Sequence, residues 1–264
     1  MPEHRLTQAG ISRGLKTRSI GRRLLVYDSV TSTMDIARRE ALAGAPEGTA
    51  VFTERQTAGR GRLKRRWLTP AGNIAVSIVL YPSRQHLNSL IMLASLAVKN
   101  AISPLAGPGC RIKWPNDIHI GGKKVCGILI ETKAHPDRLD YAILGIGINV
   151  NMHAADHPEI ASIATSLADE TGRSLSRGAL LRRLFAELES LYARLKAGEP
   201  LYPEWCACLS TTGRQVTVQS GDDVITGVAE SANEDGSLNL RRPDGSLLRV
   251  TIGDVSLREQ RGGR

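Results

Sequence analysis

Residues 124–151 read KVCGILIETKAHPDRLDYAILGIGINVN, and the rest of the chain arranges itself around this stretch. Two long apolar runs, 124–132 and 139–150, flank a short polar turn, the pattern of paired central strands in a sheet. Working outward, residues 73–81 (NIAVSIVLY) read as a third long strand, with shorter ones at 24–27, 49–54, 111–114 and 118–120 and a Gly121-Gly122 turn after the last. Helices alternate with these. Ser32 can cap one, with Asp35 three residues on, Met34, Ile36, Ala37 and Ala41 on its apolar side, and Gly44 as its stop. Residues 87–102 form a largely apolar helix. Ser176 opens another that runs to about Lys196, with Leu180, Leu184, Leu188, Leu191 and Leu195 spaced three and four apart, and a short one follows at 203–209. From Gly213 the texture changes to short β-type runs at 215–219, 224–230, 237–240 and 247–252. Turn signals separate them at Gly221-Asp222, Asp235-Gly236 and Asp244-Gly245, which is the rhythm of a small barrel. The expected fold is α+β: a mixed β-sheet flanked by helices over 23–210, then a β-barrel over 211–260.

Bulk composition narrows the class. In 264 residues, 41% hydrophobic and 23% charged content is ordinary for a globular protein, and no apolar run reaches the roughly 18–20 residues that span a bilayer. The net charge of +9 asks for an anionic ligand or partner. Arg5, Arg13, Lys16, Arg18, Arg22 and Arg23 crowd the N-terminus against the single acid Glu3. Residues 1–22 therefore read as a basic, solvated tail, with a transit peptide and a nucleic-acid arm as the weaker readings. Cys110, Cys126, Cys206 and Cys208 are expected to be reduced thiols in a cytoplasmic protein, since the lone C-x-C lacks the partners of a zinc site. His153 and His157 are expected in a surface loop because Pro158 follows at once.

Four segments carry residue types suited to chemistry. Residues 59–67 (GRGRLKRRW) set glycines beside forked cationic donors, a combination that suits a small anion, a nucleic acid or a plain surface turn. In 113–117 (KWPND), Pro115 holds Trp114 extended and leaves Asn116 and Asp117 at a strand end facing a cleft. In 124–131, alternation assigns Lys124, Cys126, Ile128 and Ile130 to one face and Val125, Gly127, Leu129 and Glu131 to the other. Gly127 there suggests close approach of a ligand or another backbone, and Lys124 is placed to reach a phosphate. In 145–151 (GIGINVN), glycines and asparagines suit a pocket floor with amides at its rim.

Taken together and in this order, these four segments resemble the signatures of the biotin–protein ligases, as do Thr31-Ser32-Thr33 before a helix and Gln56-Thr57-Ala58 before the glycine loop. The resemblance covers about residues 24–258. It implies a class II synthetase-like ligase domain with a C-terminal SH3-like barrel, and a two-step reaction. Biotin and ATP would give biotinyl-5′-AMP, and a lysine of a biotin carboxyl carrier domain would then accept the biotin. By position in the family pattern, Arg60 and Arg62 belong to the loop that closes over biotin and adenylate. Lys124 is the cation at the carboxylate–phosphate junction. Asp117 either orients the incoming lysine or helps to hold Mg²⁺. Ser32, Thr33, Met34, Gln56, Gly59, Gly61 and Gly127 join Arg60, Arg62 and Lys124 around biotin. Arg62, Arg65, Trp67, Asn116, Lys124 and Asn149 fall on the nucleotide side, and Trp67 and Trp114 supply apolar walls. Met34 replaces an Asn common in the family, which leaves only a backbone contact there. Cys126 reads as packing, because the family's intermediate is an adenylate and not a thioester.

Fewer than about 25 residues precede the first strand. A winged helix-turn-helix is therefore not expected, and neither is specific DNA binding; a homodimer stays open. The rival readings are a lipoate or octanoate ligase of the same architecture and a non-enzymatic nucleic-acid-binding protein.

Overall fold

The computed structural model describes residues 5–220, 223–251 and 253–257. The Gly221-Asp222 turn and Ile252, and everything beyond residue 257, lie outside the described residues.

The main sheet has seven strands: β1 (Leu24–Val30), β2 (Ala50–Gln56), β3 (Ile74–Leu80), β4 (Cys110–Lys113), β5 (Asp117–Ile120), β6 (Lys123–Ala134) and β7 (Leu139–Ile148). Their order is β1-β2-β3-β7-β6-β5-β4, with β1 and β2 parallel and the other pairs antiparallel. The hairpin expected from 124–151 is thus present, with β7 beside the other long strand, β3. One helix, α2 (Thr33–Leu42), lies on β2, β3 and β7 and buries Met34, Ala37 and Ala41. Its cap is as expected, with the Ser32 hydroxyl accepting the Met34 amide and Asp35 in the first turn. On the other side α3 (Leu90–Ala106) packs on α5 (Arg177–Lys196), α4 (Leu167–Thr171) and α6 (Tyr202–Cys208). The apolar face of α5 buries Leu180, Leu184, Leu188, Leu191 and Leu195.

The N-terminus departs from expectation. It is no solvated tail: α1 (Gln8–Ser12) packs on α5, and Leu6, Ile11, Leu15 and Ile20 enter the core. The basic residues hid an apolar set at irregular spacing, while Arg13, Lys16, Arg18, Arg22 and Arg23 remain exposed. Glu189 on α5 anchors the segment by accepting the backbone amides of Arg18, Ser19 and Ile20. Buried Arg177 donates to Glu54 at 2.5 Å and to the Asn73 carbonyl at 3.2 Å, tying α5 to the ends of β2 and β3.

The C-terminal sheet is β11-β10-β9-β8-β12, built from β8 (Gln215–Ser220), β9 (Asp223–Ala232), β10 (Leu238–Arg241), β11 (Leu247–Val250) and β12 (Asp254–Leu257). The last apolar run, expected to extend to 252, ends at Val250, and β12 pairs back onto β8. Trp114 joins the two parts. Its indole N–H donates to the Gly236 carbonyl at 2.7 Å, and its amide donates to Thr211 Oγ1 at 3.0 Å.

Candidate active site

On the α2 side of the sheet, register places Ala75, Gly147, Gly127 and Asp117 in one lateral row across β3, β7, β6 and β5. The next row runs Ser77, Gly145, Leu129. Missing side chains leave a shallow floor, and other groups fill part of it. A Cβ on Gly147 would stand 2.4 Å from the Trp67 indole, and one on Gly145 would stand 2.4 Å from Met34 Sδ. Both glycines are therefore required by close approach, as is Gly59, where a Cβ would lie 2.5 Å from the Trp67 carbonyl. Above this floor is a cavity of about 810 Å³.

Strict alternation along β6 misplaces one residue. His119 pairs with Lys124 while Ile118 pairs with Cys126, so Val125 is an extra residue in β6. The bulge buries Val125 and Cys126 together and rotates Lys124 onto the cavity face with Gly127 and Asp117. Lys124 Nζ lies 2.7 Å from Asp117 Oδ1 and 5.5 Å from the Trp67 ring centroid. The approach to Asp117 is an ion pair without hydrogen-bond alignment. Burial drives the Cys126 thiol well above its ordinary range, despite Lys124 nearby, so the sulfur is packing and not a nucleophile.

At one end of the cavity the polar groups form a relay. The Ser77 hydroxyl donates to Thr33 Oγ1 at 2.8 Å. Thr33 donates through its amide and hydroxyl to Gln56 Oε1 at 2.9 and 3.2 Å. Gln56 Nε2 reaches Thr69 Oγ1 at 3.1 Å. The glycine loop closes on itself through Gly61 N to Arg65 O and Trp67 N to Gly59 O, at 2.7 and 2.9 Å. Arg62 crosses to Asn116 Oδ1 at 3.1 Å and to the Gly253 carbonyl at 3.3 Å, linking the loop with the 113–117 segment and the C-terminal sheet.

Of the residues singled out in the sequence, Ser32, Thr33, Met34, Gln56, Arg60, Gly61, Arg62, Arg65, Trp67, Asn116, Asp117, Lys124, Gly127 and Asn149 all line this cavity, as does Trp114. Gly59 does not; it packs against the Trp67 carbonyl and the Gln56 side chain. Three of these side chains also bond to other parts of the protein. Arg60 turns to the rim and donates to Asp35 through both terminal nitrogens, at 2.9 and 2.8 Å. Asn116 Nδ2 donates to the Ile128 carbonyl at 2.6 Å, bracing β6. Asn149 Nδ2 donates to the Thr165 carbonyl at 3.0 Å, so its amide holds a loop at the cavity's edge.

Sequence reading missed several contributors. His119 follows Asp117 by two along a strand, and that alternation was the available signal. Its ring is buried, with Nδ1 2.8 Å from the Gly122 carbonyl and Nε2 without a partner. Burial pushes its pKa down to about 4, against the pull of that carbonyl, so the ring is neutral. Ile160, Ser162, Ile163 and Ala164 form one wall, seated by Lys124 N to Ile163 O and Thr165 N to Lys124 O, both 2.9 Å. No periodic pattern announces that segment. Thr217, Gln219 and Val255 arrive from the C-terminal sheet, a meeting that only tertiary structure reveals. Arg60, Arg62, Arg65, Arg66, Lys113 and Lys124 surround the cavity, whereas Asp117 is the single carboxylate among the described lining residues. The field is built for an anion.

Residues 26–149 match the Biotin/lipoate A/B protein ligase family, and residues 211–258 match the Biotin protein ligase C terminal domain. The chain is 36% identical to the bifunctional ligase/repressor BirA of Bacillus spizizenii over 259 residues, which cover 96% of this chain and 79% of that protein. It is 34% identical to the biotin–[acetyl-CoA-carboxylase] ligase of Paracoccus denitrificans, covering 80% of this chain and 92% of the relative. Among solved structures, the biotin protein ligase of Aquifex aeolicus in complex with biotin and ATP superposes with a TM-score of 0.75 at 29% identity. It covers 90% of this chain and 99% of that one.

Proposed function

This chain belongs to the biotin–protein ligase family, and from that premise we propose how its cavity activates biotin with ATP and passes it to a lysine of a biotin carboxyl carrier domain. In the first step a biotin carboxylate oxygen attacks the α-phosphorus of ATP, the bond to the β-phosphate bridging oxygen breaks, and pyrophosphate leaves. In the second step the acceptor lysine amine attacks the acyl carbon of biotinyl-5′-AMP, AMP leaves, and the amine loses a proton as the amide forms.

The observation that carries this reading is Lys124. The β6 bulge brings its ammonium over a floor of small residues, between Trp67 and Asp117, in a cavity ringed by cations. Two anions must meet for the first step, and fixed positive charge offsets their repulsion and the charge growing on the phosphate. Lys124 exchanges its contact with Asp117 for the carboxylate–phosphate junction. The Ser32, Thr33 and Gln56 end, rich in oriented amide and hydroxyl groups, takes the ureido ring. Trp67 walls the ring system from water. The nucleotide lies toward Ile160–Ala164 and the C-terminal sheet, with Arg62 and Arg65 beside its phosphates. Asn116 and Asn149 act there as braces of β6 and of the 165–167 segment.

Mg²⁺ accompanies ATP phosphates in such chemistry and is held by one or two carboxylates plus phosphates and water. Asp117 is the residue that fits, and once Lys124 has left, its carboxylate is free for that or for the incoming amine. None of the described helices is long and apolar enough to cross a membrane, and the free thiols suit the cytoplasm as the compartment.

Biotin-dependent exchange of labelled pyrophosphate into ATP tests the reading. Exchange is expected with biotin and ATP–Mg²⁺ and not with lipoate. Exchange supported by lipoate and not by biotin would overturn it.

A further inference from the structure

Across the cavity rim, four charged side chains from three elements form one network. Arg60 of the glycine loop donates to both oxygens of Asp35, and its Nη2 also stands 3.5 Å from Glu131 Oε1. Arg38, one turn along α2, lies 3.1 Å from Asp35 Oδ1 and bonds Glu131 through Nη2. Two cations and two carboxylates cancel, and the forked face of Arg60 is filled by carboxylate. Arg60 is therefore poorly placed to grip an anionic ligand, although Arg62 two residues on faces inward.

The two anchors are firm. Asp35 sits in the first turn of α2, where a helix N-terminus favours negative charge. Its neighbours Ser32, Thr33 and Met34 line the cavity, and Glu131 is on the central strand β6. The loop is a unit because of its own cross-links, so whatever holds Arg60 also holds Arg62 and Trp67 in place. The hydrogen bond from Arg60, with both arginine charges, holds the Asp35 carboxyl below its usual range.

We infer that Asp35, supported by Arg38 and Glu131, is a positioning residue that clasps the 59–67 loop through Arg60 and sets how slowly biotin leaves the cavity. The inference rests on the reading that biotin occupies this cavity. All four side chains are between 29% and 38% exposed, so salt weakens the clasp, and its strength lies in bidentate geometry and in the network. Opening the loop must break the Arg60–Asp35 pair, so the clasp acts on the rate of release.

Release of labelled biotin into excess unlabelled biotin measures this on the intact protein. Asp35→Asn and Arg60→Gln should each speed release by roughly five- to tenfold. The double variant should be no faster than the faster single, because both remove one interaction. Asp35→Glu should recover much of the slow release. Added salt should accelerate the wild type more steeply than Asp35→Asn, because the variant lacks the Arg60–Asp35 pair and keeps only the attraction between the cavity's cations and biotin, a difference that a merely structural role would not give. Melting temperatures of the variants check that the fold is kept. Wild-type release rates in Asp35→Asn, or additive effects in the double variant, overturn the clasp. A wild type that retains no biotin at all overturns the function reading instead.

Discussion

Lys124 and the glycines opposite it work at the scale of ångströms. Lys124→Ala should lower the biotin-dependent exchange rate by about a hundredfold or more, since it removes charge aimed at the transition state. Biotin affinity should change by less than about threefold, because the proposed ureido contacts at Ser32, Thr33 and Gln56 lie at the other end of the cavity. Exchange kinetics beside equilibrium biotin binding separate the two, and near-normal exchange would remove Lys124 from its role. The floor makes a graded prediction. Gly147→Ala drives a methyl to 2.4 Å from the rigid indole of Trp67, whereas Gly127→Ala meets Trp67 at 3.0 Å and the pliant stem of Lys124 at 3.1 Å. Overpacking of the first kind costs about 1–3 kcal/mol and expels the ring. Gly147→Ala should therefore raise the biotin KM well beyond Gly127→Ala, with a larger fall in melting temperature.

At the scale of elements, the wall at 160–164 depends on how Asn149 holds its base. Asn149→Ala strands the buried Thr165 carbonyl, worth about 1–3 kcal/mol. On the proposed placement of the nucleotide against that wall, the variant should raise the KM for ATP several-fold and leave biotin binding almost unchanged; equal loss of both would assign the wall differently. The strands that carry this site were legible because β-branched runs such as 74–80 and the glycine-bearing 145–148 have the right period and length. The face on which Lys124 lies was not. One extra residue in β6 reverses alternation beyond it, and a bulge leaves no mark in a run of apolar side chains. The protein contacts that the side chains of Arg60, Asn116 and Asn149 make are not legible in the sequence either. Their partners, Asp35, Ile128 and Thr165, come from elsewhere in the chain. His119 and the cavity residues of β8 and β12 show the same limit, since tertiary folding alone assembles them.

For the whole molecule, the N-terminal segment is the clearest case in which charge concealed structure. Six basic residues suggested solvation, yet the segment is fastened at Glu189 by consecutive backbone amides, an arrangement that an ionised acceptor strengthens. Burial pushes the Glu189 carboxyl up, but the amides of Ser19, Arg18 and Ile20 together outweigh it, and the group ends below its ordinary range. A carboxylate depressed on folding stabilises the native state above its unfolded pKa of about 4.3, and the contribution disappears as pH falls through the folded value. Glu189→Gln keeps the shape and removes the charge, so at neutral pH it should cost about 1–2 kcal/mol, typical of hydrogen bonds to a charged group. Thermal melts of the two proteins across pH test this. The wild type should melt higher at pH 7, and the gap should narrow below about pH 4 as its own carboxylate protonates. Equal melting of the two proteins at pH 7 would mean that packing of Ile11 and Ile20, and not the Glu189 carboxylate on α5, holds the N-terminus against the core.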